Sequence, residues 1–264
     1  PGFEAPVCIV ASVGHDVATP SRNRTVLLGL IRDIDDPAAT RFEVRSPNPH
    51  TNTYLALAAI YQGIMDGIVH VVKEGRTSAD LEREFSKKPN EPGLYLELHR
   101  AYRSEEDVFA AYSAEERDQL FGRPPATVWE AMENLEKYAE KAAVLRQGEV
   151  FSSKIIRSYA QAMLNQWITE LRDRILPENV EIIRSLTRLD TPDASSIDEE
   201  RWNKVNTVRR ELMKDEFGRI SLFAQLRQAI EKHDYPEISR LQQQMNAMMR
   251  ELKVLYNEYR RNLF

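Results

Sequence analysis

Between Ile238 and Tyr259 apolar residues recur at alternating steps of three and four: Ile238, Leu241, Met245, Met248, Leu252, Leu255 and Tyr259. Such a stripe, held for three heptads, fits a helix seam that must be covered by another helix. The preceding stretch places Trp202, Val205, Val208, Leu212, Ile220, Phe223, Leu226 and Ile230 on a broader apolar face. Asp234 and Pro236 punctuate the junction, so residues 191–264 are expected to form an antiparallel helical hairpin of a 198–232 helix and the seam helix. Stripes of this kind are usually core, so packing within the chain is the plainer expectation and a partner-binding role the sharper one.

Helical starts recur upstream. Thr77 with Asp80, Ser113 with Glu116, Thr127 with Glu130 and Ser196 with Glu199 fit the reciprocal pattern that satisfies free amides at a helix N-terminus. A helix beginning near Ser152 or Ser153 is expected to stop at Pro177, and the Asp-, Thr-, Pro- and Ser-rich stretch Thr187–Ser196 reads as a linker. Beyond Thr53 nearly everything reads as helix. The most apolar stretch, Tyr54 to Val72, contains Gln62, Asp66 and His70, so it reads as a buried helix and not as a membrane span.

Composition narrows the classes. At 264 residues, 42% hydrophobic content is enough for a real core, while 29% charged residues favour long solvated helices. A net charge of −5 argues against a general nucleic-acid binder. The lone Cys8 suits a reducing, cytoplasmic setting, and no secretory or lipidation signal is seen. A chain opening on Pro1 reads as a truncated or processed product. The five histidines, His15, His50, His70, His99 and His233, show no metal-ligand spacing, and there is no glycine-rich phosphate loop.

Residues 1–53 differ from the rest. Val7–Ala11, Thr25–Ile31 and Arg41–Arg45 are β-branched or alternating and are separated by Gly, Pro, Asn and Asp, which predicts short strands. The chain is thus expected to be α+β and predominantly helical. In Arg41-Phe42-Glu43-Val44-Arg45 the strand period sets Arg41, Glu43 and Arg45 on one face and turns Phe42 and Val44 to a core. Two guanidinium groups beside a carboxylate suit phosphate or carboxylate recognition next to a hard cation. On pattern alone, a charge ladder on a solvated sheet face is the plainer reading. The same region holds five arginines (Arg22, Arg24, Arg32, Arg41, Arg45) and no lysine, a usage that favours oxyanion binding over solubility.

Taken in order, Gly2-Phe3-Glu4-Ala5-Pro6, Ser21-Arg22-Asn23-Arg24-Thr25, Arg41 through Pro49, and Asn52-Thr53-Tyr54-Leu55-Ala56-Leu57-Ala58-Ala59 closing on Met65-Asp66-Gly67-Ile68 resemble the C-terminal catalytic motifs of glutamine synthetases. The resemblance is close over 1–72, fades through 73–145 and returns faintly at Gly148–Leu171. It implies a domain division into 1–190, the C-terminal part of the catalytic domain, and 191–264, a helical extension of a long-chain subclass.

The resemblance also implies roles. Glu4 would be the flap carboxylate that closes over glutamate and helps deprotonate ammonium. Arg24 would hold ATP phosphate and stabilise charge in phosphoryl transfer, and Arg41 would face nucleotide phosphate. Glu43 would ligate an active-site Mg²⁺ or Mn²⁺, and Arg45 would bind L-glutamate. ATP would phosphorylate glutamate, ammonia would displace phosphate, and the full-length protein would be a homo-oligomer. Departures from the pattern are Gly29 where a further nucleotide-binding arginine is usual, with Arg32 the nearest substitute, Asn48 for Asp, Thr53 for Pro, and an insertion at Val13–Pro20. Tyr95 is a weak counterpart of a tyrosine that some bacterial relatives adenylylate. The chain by itself is expected to be inactive. The rivals are a γ-glutamyl ligase using another amine, and a catalytically silent helical interaction module.

Overall fold

The runs at Val7, Val26 and Arg41 pair into a small mixed sheet in the computed structural model, which describes residues 7–14, 23–33, 35–47, 51–94, 96–189 and 192–263. Strand β1 (Val7–Ser12) runs parallel to β2 (Val26–Ile31), and β2 runs antiparallel to β3 (Arg41–Val44). The β2–β3 register sets Leu28 opposite Val44, Gly29 opposite Glu43, Leu30 opposite Phe42 and Ile31 opposite Arg41. Between them, Asp33 accepts the amides of Asp35 and Asp36, and Asp36 caps a single 3₁₀ turn at Pro37–Ala39. These side chains replace backbone partners that a turn cannot supply.

Four helices complete the first of two compact units, Pro1–Pro124. They are α1 (Thr53–Glu74), α2 (Ser78–Phe85), α3 (Val108–Ala111) and α4 (Ala114–Phe121). Both expected capping boxes, Thr77 with Asp80 and Ser113 with Glu116, are formed. Helix α1 opens on the Asn52 side chain and closes on Gly75 in the left-handed conformation. Val26, Val108 and Phe121 make the small core, with Tyr112 edge-on to Phe121. Buried Asn23 ties the start of β2 to a distant loop by donating to the Ser104 carbonyl at 3.2 Å.

Helix α1 corrects an expectation. None of its residues is buried, and Tyr54, Leu57, Tyr61, Ile64, Ile68 and Val72 form an exposed stripe. Among the described residues no element covers this face of the 22-residue helix. Among the described residues it is the one helix long and apolar enough to cross a membrane. Gln62, Asp66 and His70 occupy its partly buried flank and each has an interaction within the fold.

The second unit, Pro125–Phe264, is all helix: α5 (Val128–Lys137), α6 (Ala139–Ala142), α7 (Ser153–Glu170), α8 (Leu176–Ser185), α9 (Ser196–Met213), α10 (Leu222–Lys232) and α11 (Tyr235–Leu263). The expected division at 190/191 is not where the units part. Leu164, Trp167, Leu171, Leu176 and Ile183 of the α7–α8 region share one core with Val205, Leu212, Leu226 and the α11 seam. The hairpin is therefore not a unit of its own. Ile238, Leu241, Met245, Leu252 and Tyr259 are buried along the seam, as its spacing requires. Each such side chain removed from water contributes about 1.5–3 kcal/mol.

The other arm of the hairpin is broken where one helix was expected. Lys214–Ser221 interrupts it with a tight turn in which Glu216 and Arg219 exchange backbone hydrogen bonds and Gly218 takes a φ of 81°. Asp215 then accepts both the Ser221 amide and its hydroxyl, opening α10. The cap of α9 is Ser195 with Asp198, one residue before the expected Ser196 and Glu199. Thr127 makes half of its box: its hydroxyl accepts the Glu130 amide, while the Glu130 carboxylate takes the amide of Ala126.

Pro177 does not stop its helix either. Leu171–Ile175 widens into a π turn, and the helix continues as α8 with Pro177 in its first turn. Proline brings no amide, and the widened turn accommodates its ring without ending the helix.

Candidate functional site

The charged strand is built as its alternation demands. Arg41 donates to one Glu43 carboxylate oxygen at 2.9 Å and Arg45 to the other at 2.8 Å, so both oxygens are engaged. Burial alone would raise the Glu43 carboxyl, but the Arg41 hydrogen bond and the charges of Arg45 and Arg41 outweigh it and hold it below its ordinary value. Glu43 is thereby an anion at neutral pH. The opposite face departs from expectation, because Phe42 is 66% exposed and is not core. It lines an open apolar cleft of about 540 Å³ with Leu30, His70, Leu81, Phe85 and Leu96.

Arg32 lines that cleft too, on the face opposite Arg41 and Glu43. Position 29 is on the other face of the strand. Gly29 itself lies on the charged face, across from Glu43, and the guanidinium of Arg45 occupies the space above it. A Cβ built at Gly29 would stand 2.6 Å from Arg45 Nη1 and 2.9 Å from Nη2. Arg24 is exposed ahead of β2 and makes no ion pair with a described residue. Glu4, Tyr95 and Asn48 lie outside the described residues. The structure therefore brings together Arg41, Glu43 and Arg45, and leaves Arg24 apart from them.

These residues do not by themselves fit a divalent metal. Among the described residues no group of three or more His, Cys, Asp or Glu comes together. Glu43 offers one carboxylate with a guanidinium on each side, whereas Mg²⁺ keeps a near-octahedral set of oxygens. What the face can do chemically is hold anions: it combines planar donors with a carboxylate that keeps them aligned.

Sequence reasoning missed a second charged centre in this unit. The Glu105 carboxylate accepts from the Ser12 hydroxyl, from the amides of Val13 at 3.1 Å and Gly14 at 2.9 Å, and from Arg103 Nε at 2.8 Å. Burial pushes its carboxyl up, but the bonds from Ser12, Arg103, Val13 and Gly14 outweigh that and lower it. Arg103 also donates to the Gly14 carbonyl at 2.8 Å, so Glu105 and Arg103 together close the end of β1. No local pattern signals this, since Glu105 meets Ser12 from 93 residues away.

The glutamine synthetase catalytic-domain family matches residues 1–102, a stretch that holds the charged strand, α1 and α2. Residues 1–102 are thus similar to the glutamine synthetase catalytic domain. Similar proteins include a glutamine synthetase of Archaeoglobus fulgidus, 28% identical over 167 residues that cover 63% of this chain and 26% of the relative. That of Azotobacter vinelandii is 31% identical over 161 residues, 61% of this chain and 26% of the relative. That of Thermotoga maritima is 42% identical over a shorter 73 residues, 28% of this chain and 14% of the relative. The chain thus spans about a quarter of the length of the first two, and no solved structure matches it. In this matched segment the close motifs end well before the second unit, all of which lies beyond the family match.

Proposed function

We propose that this chain is the C-terminal part of a cytoplasmic, homo-oligomeric glutamine synthetase, a ligase that joins ammonia to L-glutamate at the expense of ATP. The observation that carries the reading is the Arg41–Glu43–Arg45 face, held together within the segment that matches the catalytic domain. Arg41 serves nucleotide phosphate and Arg45 the glutamate substrate, because planar guanidinium forks fit both kinds of oxyanion. Arg24 would join them on phosphate and Glu4 would close over glutamate. Stabilising a transferring phosphoryl group requires such charges to be fixed in advance.

A bound Mg²⁺ or Mn²⁺ would neutralise phosphate charge. Glu43 supplies one ligand towards it, and the others must come from outside the described residues. A second reading, a catalytically silent helical module, is favoured by one fact: both Glu43 oxygens are already taken by arginines.

The test is phosphate release from ATP on adding glutamate and ammonia, measured in the protein with its complete catalytic domain. Glu43→Ala should abolish turnover and leave Tm near that of the unsubstituted protein, since the Glu43 pairs are part-exposed and weak. Equal activity in the variant would remove Glu43 from the site. Robust release with another amine and none with ammonia would move the reading to a different γ-glutamyl ligase.

A further inference from the structure

Gly29 stands at the centre of β2 with ordinary strand pairing to Glu43, and its backbone does not lie in the left-handed region that would demand glycine. The need for glycine is one of space. The Arg45 guanidinium lies over its Cα, closer than any side chain would permit, with Nη1 at 2.6 Å and Nη2 at 2.9 Å from where a Cβ would be. The Arg45 backbone is fixed as well, because its amide donates to the Leu27 carbonyl at 2.9 Å. Its side chain is only 17% exposed. Nη2 is spent on Glu43, while Nη1 is buried and has no hydrogen-bond partner. An orphaned buried donor is unfavourable, so the pose gives up one guanidinium nitrogen and gains a single ion pair.

We infer that Gly29 is a positioning residue for Arg45: its bare backbone is a berth in which the guanidinium rests across β2 against Glu43, and an anionic ligand engages the Nη1–Nη2 edge of Arg45 only by drawing it off the strand. A carboxylate that meets the guanidinium end-on needs Nη1 and Nη2 together, and in the berth Nη2 donates to Glu43 while Nη1 is shut from solvent. Leaving the berth releases the second Glu43 oxygen at the same moment. The two events are thus coupled through one side chain, and the residue that permits the resting position makes no contact of its own with ligand. The functional consequence rests on the proposed role of Arg45 in binding glutamate, whereas the berth itself does not.

Two measurements on the 264-residue chain test it. In ¹⁵N-arginine side-chain NMR, the clamped Arg45 guanidinium should rotate slowly about Cζ–Nη and give resolved Nη signals. Gly29→Ala should collapse them, as should Glu43→Gln, whereas Arg41→Lys should leave them resolved. Unchanged Arg45 signals in Gly29→Ala would overturn the berth. Titration with L-glutamate, followed at Arg45 Nε, should then reach its midpoint at a concentration roughly fivefold lower in Gly29→Ala, the size expected for releasing one part-exposed ion pair. An equal or higher midpoint in the variant would overturn the coupling. Failure of ATP-dependent phosphate release would remove the ligase reading and leave the NMR result standing.

Discussion

The hydroxyl of Tyr259 bridges both backbone groups of Leu189, accepting its amide at 2.8 Å and donating to its carbonyl at 3.1 Å. This joins the last turns of α11 to the stretch that the sequence marks as a linker. Tyr256 adds a second tie by donating to the Thr187 carbonyl at 3.3 Å. The beginning of that stretch is therefore fastened to the helical core. Tyr259→Phe keeps the ring, which packs 5.4 Å from Trp202, and removes the bridge. It should lower the stability of the second unit by about 1 kcal/mol, because two part-buried backbone groups lose their partner. A denaturation midpoint equal to that of the parent chain would show that water replaces the hydroxyl.

Leu252 is 1% exposed in the middle of the seam. Leu252→Ala should cost ~2–5 kcal/mol, the range for truncating a packed core leucine. Trp129, Trp167 and Trp202 all lie in the second unit, so tryptophan fluorescence during urea unfolding reads this unit directly. An unshifted midpoint would mean that the site collapses around the smaller side chain.

The Glu105 nest predicts a pH dependence confined to the first unit. Its folded-state pKa is lowered, so its stabilising contribution is complete above the unfolded carboxyl value of about 4.5 and is lost as pH falls from there through the folded value. Glu105→Gln should abolish that dependence and lower stability at neutral pH. Hydrogen exchange at the Val13 and Gly14 amides, which the carboxylate accepts, is the local readout. Their protection should fall on acidification in the parent chain and be low throughout in the variant.

Much of this architecture is legible in the sequence wherever one local pattern decides it. The three strands, the Thr77 and Ser113 boxes and the α11 seam follow from period and capping chemistry alone. So does the face shared by Arg41 and Glu43, since a strand has only two faces. What escaped depends on distant neighbours. Nothing in the Tyr54–Val72 composition reveals how much area exists to cover it, and nothing near Glu105 announces Ser12 or Gly14. Gly29 is the middle case. Its departure from the family pattern is visible in one dimension, while the reason, a guanidinium lying over the strand, needs the third.

The chain alone should bind Mg²⁺-ATP no more tightly than millimolar, about −4 kcal/mol, because the described residues supply Glu43 as a solitary carboxylate between two cations. Isothermal calorimetry decides this. Micromolar binding would show that the chain holds a more complete nucleotide site than the charged strand.

The widened turn at Leu171–Ile175 also solves a problem of phase. Leu171 and Leu176 are both fully buried in one core, yet they are five residues apart. In an unbroken α-helix that step overshoots a full turn by roughly 140°, which would point Leu176 away from the core. The Leu176 amide instead reaches back to the Leu171 carbonyl, closing the five-residue loop and restoring the alignment. In effect the helix carries one surplus residue, absorbed at a single point, so that two stripes written out of step face the same neighbour. Length changes in this helix are therefore not equivalent: removing the surplus within 172–175 would bring the two stripes into ordinary helical step, while the same deletion elsewhere would turn half the helix out of its core.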